Sequence, residues 1–285
     1  MPRVLCVGHV NWDVTLRVDA LPRPDAESTI RDTTQSGGGS AANVAVGLVG
    51  LDCAATLSGS VGDDEHGLLA RRDLDRGGVD LSGLRTVEGE TTTKYLLVDD
   101  GGEVSVLGAA GVNEALGPDD VDPALVETAD HVHLTAHRSD TAGRVAELAA
   151  KFGVPLSVDP GRRLADRDFA AAFEHADLLF VNEVEARALD GVSVPTVVRK
   201  RGTDGAIVET AETRYRHGGF DRAAVDSTGA GDAFAAGYIA ARLRGDGPET
   251  ALAVANACGA LATETEGPKT ELSWEAVAAV RGEHA

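Results

Sequence analysis

Lysine is nearly missing from this sequence. Lys94, Lys151, Lys200 and Lys269 are the only lysines among 26 basic residues, while Asp and Glu number 46, for a formal net charge of −20. So acidic a chain excludes functions built on polyanions. Non-specific nucleic-acid binding needs clustered cations to displace counterions, and an anionic membrane repels such a surface. The acidic, Arg-rich composition suits a halophilic protein, since salt shortens the Debye length to about 3 Å at 1 M. A GC-rich coding bias yields the same pattern. Cysteine is also scarce. Cys6, Cys53 and Cys258 are odd in number, widely spaced and free of any CxxC, so no disulfide framework is expected and the cytoplasm is the expected compartment. Long apolar runs are absent too. A membrane span needs about 20 mostly apolar residues, and the uncharged stretch Thr33 to Leu51 is broken by glycines, Gln35 and Asn43. The apolar start, Val4 to Val7, is too short for a signal peptide and soon meets Asn11 and Asp13.

What is there is an alternation of short apolar runs with amphipathic segments. Strands are expected at Arg3–Val7, Ala54–Ser58, His131–Thr135, Leu156–Asp159, Leu178–Val181, Thr196–Arg199 and Ala206–Glu209. Helices are expected at Ser40–Leu51, Glu65–Arg76, Thr141–Phe152, Glu183–Leu189, Gly231–Leu243, Glu249–Glu264 and Trp274–Arg281. This order predicts an α/β chain: a mostly parallel sheet with helices on both faces, in a single domain over 1–285. Two stretches break the rhythm. Val14 to Thr34 alternates like a strand around Pro22 and Pro24, and Thr91 to Leu107 carries the hairpin signal Asp99-Asp100-Gly101-Gly102. Ribbons at about 13–35 and 91–108 are therefore expected to form a small β lid over the active edge.

The strongest chemical signal is Asp226-Ser227-Thr228-Gly229-Ala230-Gly231-Asp232-Ala233-Phe234. A small-residue turn opening a helix offers free N–H groups and the positive end of the helix dipole, so it forms an anion site. Asp232 falls in the first turn beside that anion. Capping alone accounts for an Asp there, but not for Gly229-Ala230-Gly231 before it. A carboxylate so placed can take the proton of an acceptor hydroxyl in phosphoryl transfer. The helix start is expected to lower its pKa and keep it ionised.

Three further patterns are weaker. Gly37-Gly38-Gly39-Ser40-Ala41-Ala42-Asn43 opens an early helix, and Asn43 suits a sugar hydroxyl; tight strand–helix packing explains the same glycines. No Gly-Lys-Ser/Thr follows, so it is not a Walker A loop. Asn11 and Asp13 follow the first strand, where ligand crevices of parallel sheets lie, although an Asx turn fits equally. Asn182-Glu183-Val184-Glu185 offers oxygen ligands for Mg2+ held through water and phosphate. An ordinary capping box explains those letters at least as well.

Together these motifs, in this order and spacing, resemble the PfkB carbohydrate kinase family, also called ribokinase-like. The resemblance runs over essentially the whole chain through the signatures Gly38 to Gly62 and Asp226 to Phe234. It implies a three-layer α/β/α core with a β lid, and transfer of the ATP γ-phosphate to a sugar-type hydroxyl. It makes Asp232 the catalytic base and Gly229, Ala230 and Gly231 the anion hole. Asn11, Asp13, Gly38, Gly39 and Asn43 become acceptor-binding positions, and Asn182 and Glu185 the pair that influences Mg2+. Lys200, Gly202 and Gly205 fall in the nucleotide loop, with Asn256 near the adenine. Asp226, Thr228, Ala262 and Gly267 match positions that bind a monovalent cation such as K+ in some members.

The departures from the family are informative. The segment Glu183 to Arg199 is short, so a helix is expected to be reduced. Lys200-Arg201-Gly202 replaces a more apolar loop, and Ser40 stands where ribokinases carry Lys, which disfavours ribose itself. Asp159-Pro160-Gly161-Arg162 resembles a stretch of several sugar kinases. Lys94 and Arg138 suit an anionic acceptor such as a sugar acid or sugar phosphate, although most single basic residues are merely solvated. His131 and His133 share a strand face, but no acidic ligand sits at metal-binding spacing. A nucleoside kinase or phosphosugar kinase of the same fold, and a non-catalytic sugar-binding regulator, remain as alternatives. An NAD(P) oxidoreductase does not, because Gly8-His9-Val10 lacks the dinucleotide fingerprint. A homodimer through the lid is expected.

Overall fold

The computed structural model describes residues 1–189, 191–222, 225–264 and 271–282. The chain begins β1 (Arg3–Val7), β2 (Asn11–Val18), β3 (Ile30–Gly38), α1 (Ser40–Gly50), β4 (Ala54–Gly62), α2 (Glu65–Arg76) and β5 (Asp80–Val87). It continues with β6 (Thr93–Asp99), β7 (Val104–Ala109), α3 (Pro123–Glu127), β8 (His131–Thr135), α4 (Ser139–Phe152), β9 (Leu156–Asp159), α5 (Ala170–Glu174) and β10 (Leu178–Asn182). It closes with β11 (Thr196–Lys200), β12 (Ala206–Thr210), β13 (Arg214–His217), α6 (Ala230–Leu243), α7 (Pro248–Thr263) and α8 (Trp274–Arg281).

Two sheets form. Among the described residues the larger runs β13-β12-β11-β10-β9-β8-β1-β4-β5, and only β12 pairs antiparallel to its neighbours. The smaller runs β3-β2-β6-β7 and is the lid. Side chains of a strand alternate between faces, so each central strand feeds two cores. Val4 and Cys6 of β1 join one core with α1, α6 and α7, while Leu5 and Val7 join the other with α4 and α5. Helices thus cover both faces, as a parallel sheet requires. Phe180 of β10 anchors the first core, meeting the rings of Phe234 and Tyr238 edge-on.

Glycines place the site at the carboxyl ends of the strands. Gly39, the N-cap of α1, has φ +100°, and a β-carbon there would lie 2.4 Å from the His9 carbonyl oxygen. Gly229, the N-cap of α6, has φ +76°. Both are left-handed positions that favour glycine.

Several expectations shift. The expected helix Glu183–Leu189 is a single 3-10 turn, Glu185–Ala188, whose C-cap is Leu189. The lid strands begin at Asn11 and end at Ala109, wider than the turn signals implied. β5 and β13 are additional edge strands, too exposed and charged for an apolar pattern to reveal them.

Candidate active site

β1, α1, α6 and the lid converge on Asp232. Asn43 lies one turn into α1, and its Nδ2 donates to Asp232 Oδ2 at 2.7 Å. The Asn43 amide oxygen is buried and meets no hydrogen-bond partner among the described residues. A buried acceptor left open in this way suits a substrate hydroxyl. Asp13 and Lys94 face each other in register across β2 and β6. Gly38 is where Asp13 needs room: a β-carbon there would sit 2.2 Å from its carboxylate oxygen. Asn11, 1% exposed, meets the Asn113 amide at 2.7 Å, and Lys94 Nζ reaches its other end at 3.3 Å. The structure therefore brings Asn11, Asp13, Gly38, Gly39, Asn43, Lys94 and Asp232 to one place.

The Gly39 conformation supports a prediction. Gly39→Ala is expected to cost on the order of 2 kcal/mol through backbone strain. The displaced start of α1 is expected to lower kcat/KM about 10²-fold, since Asn43 shifts with it. Urea melts beside acceptor titrations check both effects.

The turn before α6 is closed by its own hydrogen bonds. Thr228 N donates to Asp226 Oδ1 at 2.8 Å, Ala230 N to Ser227 O at 3.3 Å and Asp232 N to Gly229 O at 3.0 Å. The charge of Asp232 differs from expectation. Burial pushes its pKa up to about 6, with Asp159 adding repulsion, while the Asn43 hydrogen bond, Lys200 and Lys94 work against that rise. The helix start does not win. Desolvation of a carboxylate enclosed between α1 and α6 is the larger effect, and the closure is tertiary.

On the opposite side, Asn182 and Glu185 cap each other. Asn182 N and Nδ2 donate to the two Glu185 oxygens at 2.8 Å each, and Asn182 Oδ1 accepts from Val184 N and Glu185 N. Glu185 is 7% exposed, and its pKa is raised by burial and by Asp159. Gly202 and Gly205, at φ +57° and +78°, shape the loop after β11, and a β-carbon on Gly205 would lie 2.0 Å from the His217 carbonyl. Lys200 leaves that loop. Its Nζ turns inward to Asp159 Oδ2 at 2.6 Å.

Other candidates lie apart. Arg138, at the start of α4, is half-exposed and paired with Asp140. Asn256 of α7 turns its Nδ2 back to Leu252 O at 2.7 Å. Ala262 is buried in α7 near its end, Asp226 N bonds Thr263 O, and Gly267 lies outside the described residues. His131 and His133 share the Ser157 hydroxyl at 2.7 and 2.8 Å. The motifs gave no sign of Asn113, nor of Glu114, which holds His9 and accepts both nitrogens of the Arg167 fork at 2.8 Å. Both sit in an irregular loop, so only their chain-distant neighbour Asn11 marks the place.

The family model for pfkB family carbohydrate kinases matches residues 1–275. The chain belongs to that family. It is a carbohydrate kinase, moving the ATP γ-phosphate to a hydroxyl of a sugar or sugar derivative. This kinase is 55% identical to an ATP-dependent ribose-1-phosphate kinase of Halopiger xanaduensis, over 99% of both chains. It is 30% identical to a nucleoside kinase of Methanothermobacter thermautotrophicus, over 94% of this chain and 92% of that one. The crystal structure of the nucleoside kinase of Methanocaldococcus jannaschii superposes with a TM-score of 0.86 at 24% identity, covering 100% of this kinase and 99% of that chain. No helix among the described residues is long and apolar enough to cross a membrane.

Proposed function

We propose that the kinase phosphorylates a pentose 1-phosphate, the acceptor class of its Halopiger relative, on the sugar's primary hydroxyl. The observation that carries this reading is Lys94. It is one of four lysines in the chain, and it stands in register with Asp13 with its ammonium against Asn11. A cation among sugar-binding amides and a carboxylate suits an acceptor that is itself anionic. The lid aromatics favour a sugar over a nucleoside. Trp12 is 6% exposed, stacked on His66 and tied through Nε1 to Gln35, while Tyr95 packs against the core. Neither offers an open face to a base.

The chemistry follows from the geometry. Asn11, Asp13 and the open oxygen of Asn43 orient the sugar. Asp232 takes the hydroxyl proton as the oxygen attacks, and the N–H groups at Gly229 and Gly231 hold the phosphoryl oxygens, beside Ala230 whose own N–H is held by Ser227 O. Glu185 and Asn182 fit a role in holding the waters of Mg2+, which when bound neutralises charge on the nucleotide phosphates. Gly202 and Gly205 frame the nucleotide, with Asn256 behind it. A K+ ion beside Asp226 and Thr228 fits the carboxylate fixed there. The lid's edge strands expose Ile30 on β3 and Val104, Val106 and Leu107 on β7, with Leu107 on the opposite face from Val104 and Val106, apolar edges that suit a second copy of the chain.

Steady-state rates with ribose 1-phosphate, ribose, 2-keto-3-deoxygluconate and adenosine test the proposal. Ribose 1-phosphate is expected to give the highest kcat/KM. Lys94→Met is expected to raise its KM about 10–100-fold, the worth of a hydrogen bond to a charged group, with the KM for ATP unchanged. Preference for ribose or adenosine, or a Lys94→Met enzyme with unaltered acceptor KM, would refute it.

A further inference from the structure

Lys200 has no part in moving the acceptor proton, yet it is the cation most tightly held beside Asp232. Its side chain is 17% exposed, and Asp159, its partner at 2.6 Å, is 11% exposed. Strand parity explains the meeting. Ser157 and Asp159 of β9, Val198 and Lys200 of β11, and His133 of β8 all project from the sheet face that α6 covers, because their alternate neighbours Val132, Val158 and Val197 join the opposite core. A β-carbon on Gly231 would lie 3.5 Å from Lys200 Nζ. The ammonium therefore stands at the anion turn itself, with Asp159, Glu185 and Asp232 as the surrounding carboxylates.

Stability is a poor reason for this arrangement. A buried ion pair seldom repays its desolvation, and apolar residues of similar size usually serve as well. The choice of lysine is also pointed in a chain where 22 of the 26 basic residues are arginines. An ammonium has three donors, and the Lys200 side chain uses one of them, on Asp159, among the described residues. Two remain for oxygen ligands.

We infer that Lys200 is a catalytic residue whose ammonium, aimed by Asp159, contacts the γ-phosphoryl group during transfer. As the acceptor oxygen forms its bond to phosphorus, the bond from phosphorus to the bridging oxygen of ADP breaks and the hydroxyl proton passes to Asp232. Lys200 keeps its proton throughout and offsets the charge spread over the equatorial oxygens. Asp159 is a positioning residue. The inference rests on the Gly229 to Gly231 turn and Asp232 together being the site of phosphoryl transfer, and it is independent of which sugar accepts.

The test compares Lys200→Met with the double variant Lys200→Met/Asp159→Asn, in which no carboxylate is left buried without its cation. Turnover uses wild type's best acceptor, and MgATP affinity is read by calorimetry. Both variants are expected to lose about 10²–10³-fold in kcat while MgATP affinity stays within about threefold. Lys200→Ala is expected to regain activity when methylammonium is supplied. A double variant as active as wild type makes the pair structural and overturns the inference. Lost MgATP affinity with intact kcat overturns it too, assigning Lys200 to nucleotide binding. Failure of the anion-turn reading looks different, since Asp232→Asn then stays active whatever Lys200 does.

Discussion

Replacing Asp232 by Asn is expected to lower kcat by about 10²–10⁴-fold, the usual worth of a general base, in a protein that is more heat-stable than wild type. An amide cannot take the acceptor proton, yet its oxygen still accepts the 2.7 Å hydrogen bond from Asn43. The gain in stability comes from burial. The folded pKa is raised to about 6 from the ordinary 3.8, so above pH 6 the protein carries a buried charge at a cost. The sign is that of a raised carboxylate: its favourable contribution is complete below the unfolded pKa and lost as pH rises through the folded one. The Asn variant should thus melt higher than wild type above about pH 6 and with it below about pH 4. The same titration gives wild type an acid limb in kcat/KM near pH 6, because the protonated carboxyl cannot act as base. Calorimetry and rates across this range check both halves. A residue tuned for catalysis at the expense of stability is common at active sites.

Acidification from pH 6.5 to 4 is expected to destabilise the protein steeply. Burial lowers His131 and His133 to about 3 and His137 to about 4, so the folded protein keeps them neutral. Unfolded histidines take up protons near pH 6.5, and stability falls as pH drops below that value. Asp232 opposes the trend between about pH 4 and 6 by binding a proton in the folded state. Three histidines against one carboxylate leave about two protons in favour of unfolding near pH 5, or about 3 kcal/mol per pH unit. Urea melts at pH 7 and 5 measure the slope, and His131→Gln with His133→Gln should flatten it by more than half. Equal stability at the two pH values would show these histidines to be protonated in the fold.

Much of the fold was legible because it is written locally. The bounds of β1, α2 and α8 coincide with the apolar pattern, and Asp64 and Gly77 sit at the ends of α2. The turn Gly229-Ala230-Gly231 was legible because a run of small residues before a helix marks a tight start, and Gly229 at φ +76° favours glycine there. The charge of Asp232 was not. A helix start argues for a low pKa, but the enclosure by α1 and α6 that reverses it joins residues 189 positions apart. Lys200 likewise reads as part of a loop. Only the parity of four neighbouring strands turns it toward Asp159, 41 residues earlier. Asn182 and Glu185 adopt the capping arrangement that their letters also allowed. Glu114 with His9 and Arg167 was invisible, since an irregular loop carries no period to read.

Asp232 is expected to direct the ATP γ-phosphate onto the primary hydroxyl of a sugar phosphate. Phosphorus NMR of the kinase with MgATP and ribose 1-phosphate tests it most directly. A new phosphate ester split by two methylene protons is expected, appearing in step with ADP and absent with Asp232→Asn. ADP without a new ester, an ester coupled to a single ring proton, or an Asp232→Asn enzyme that keeps pace with wild type would contradict it.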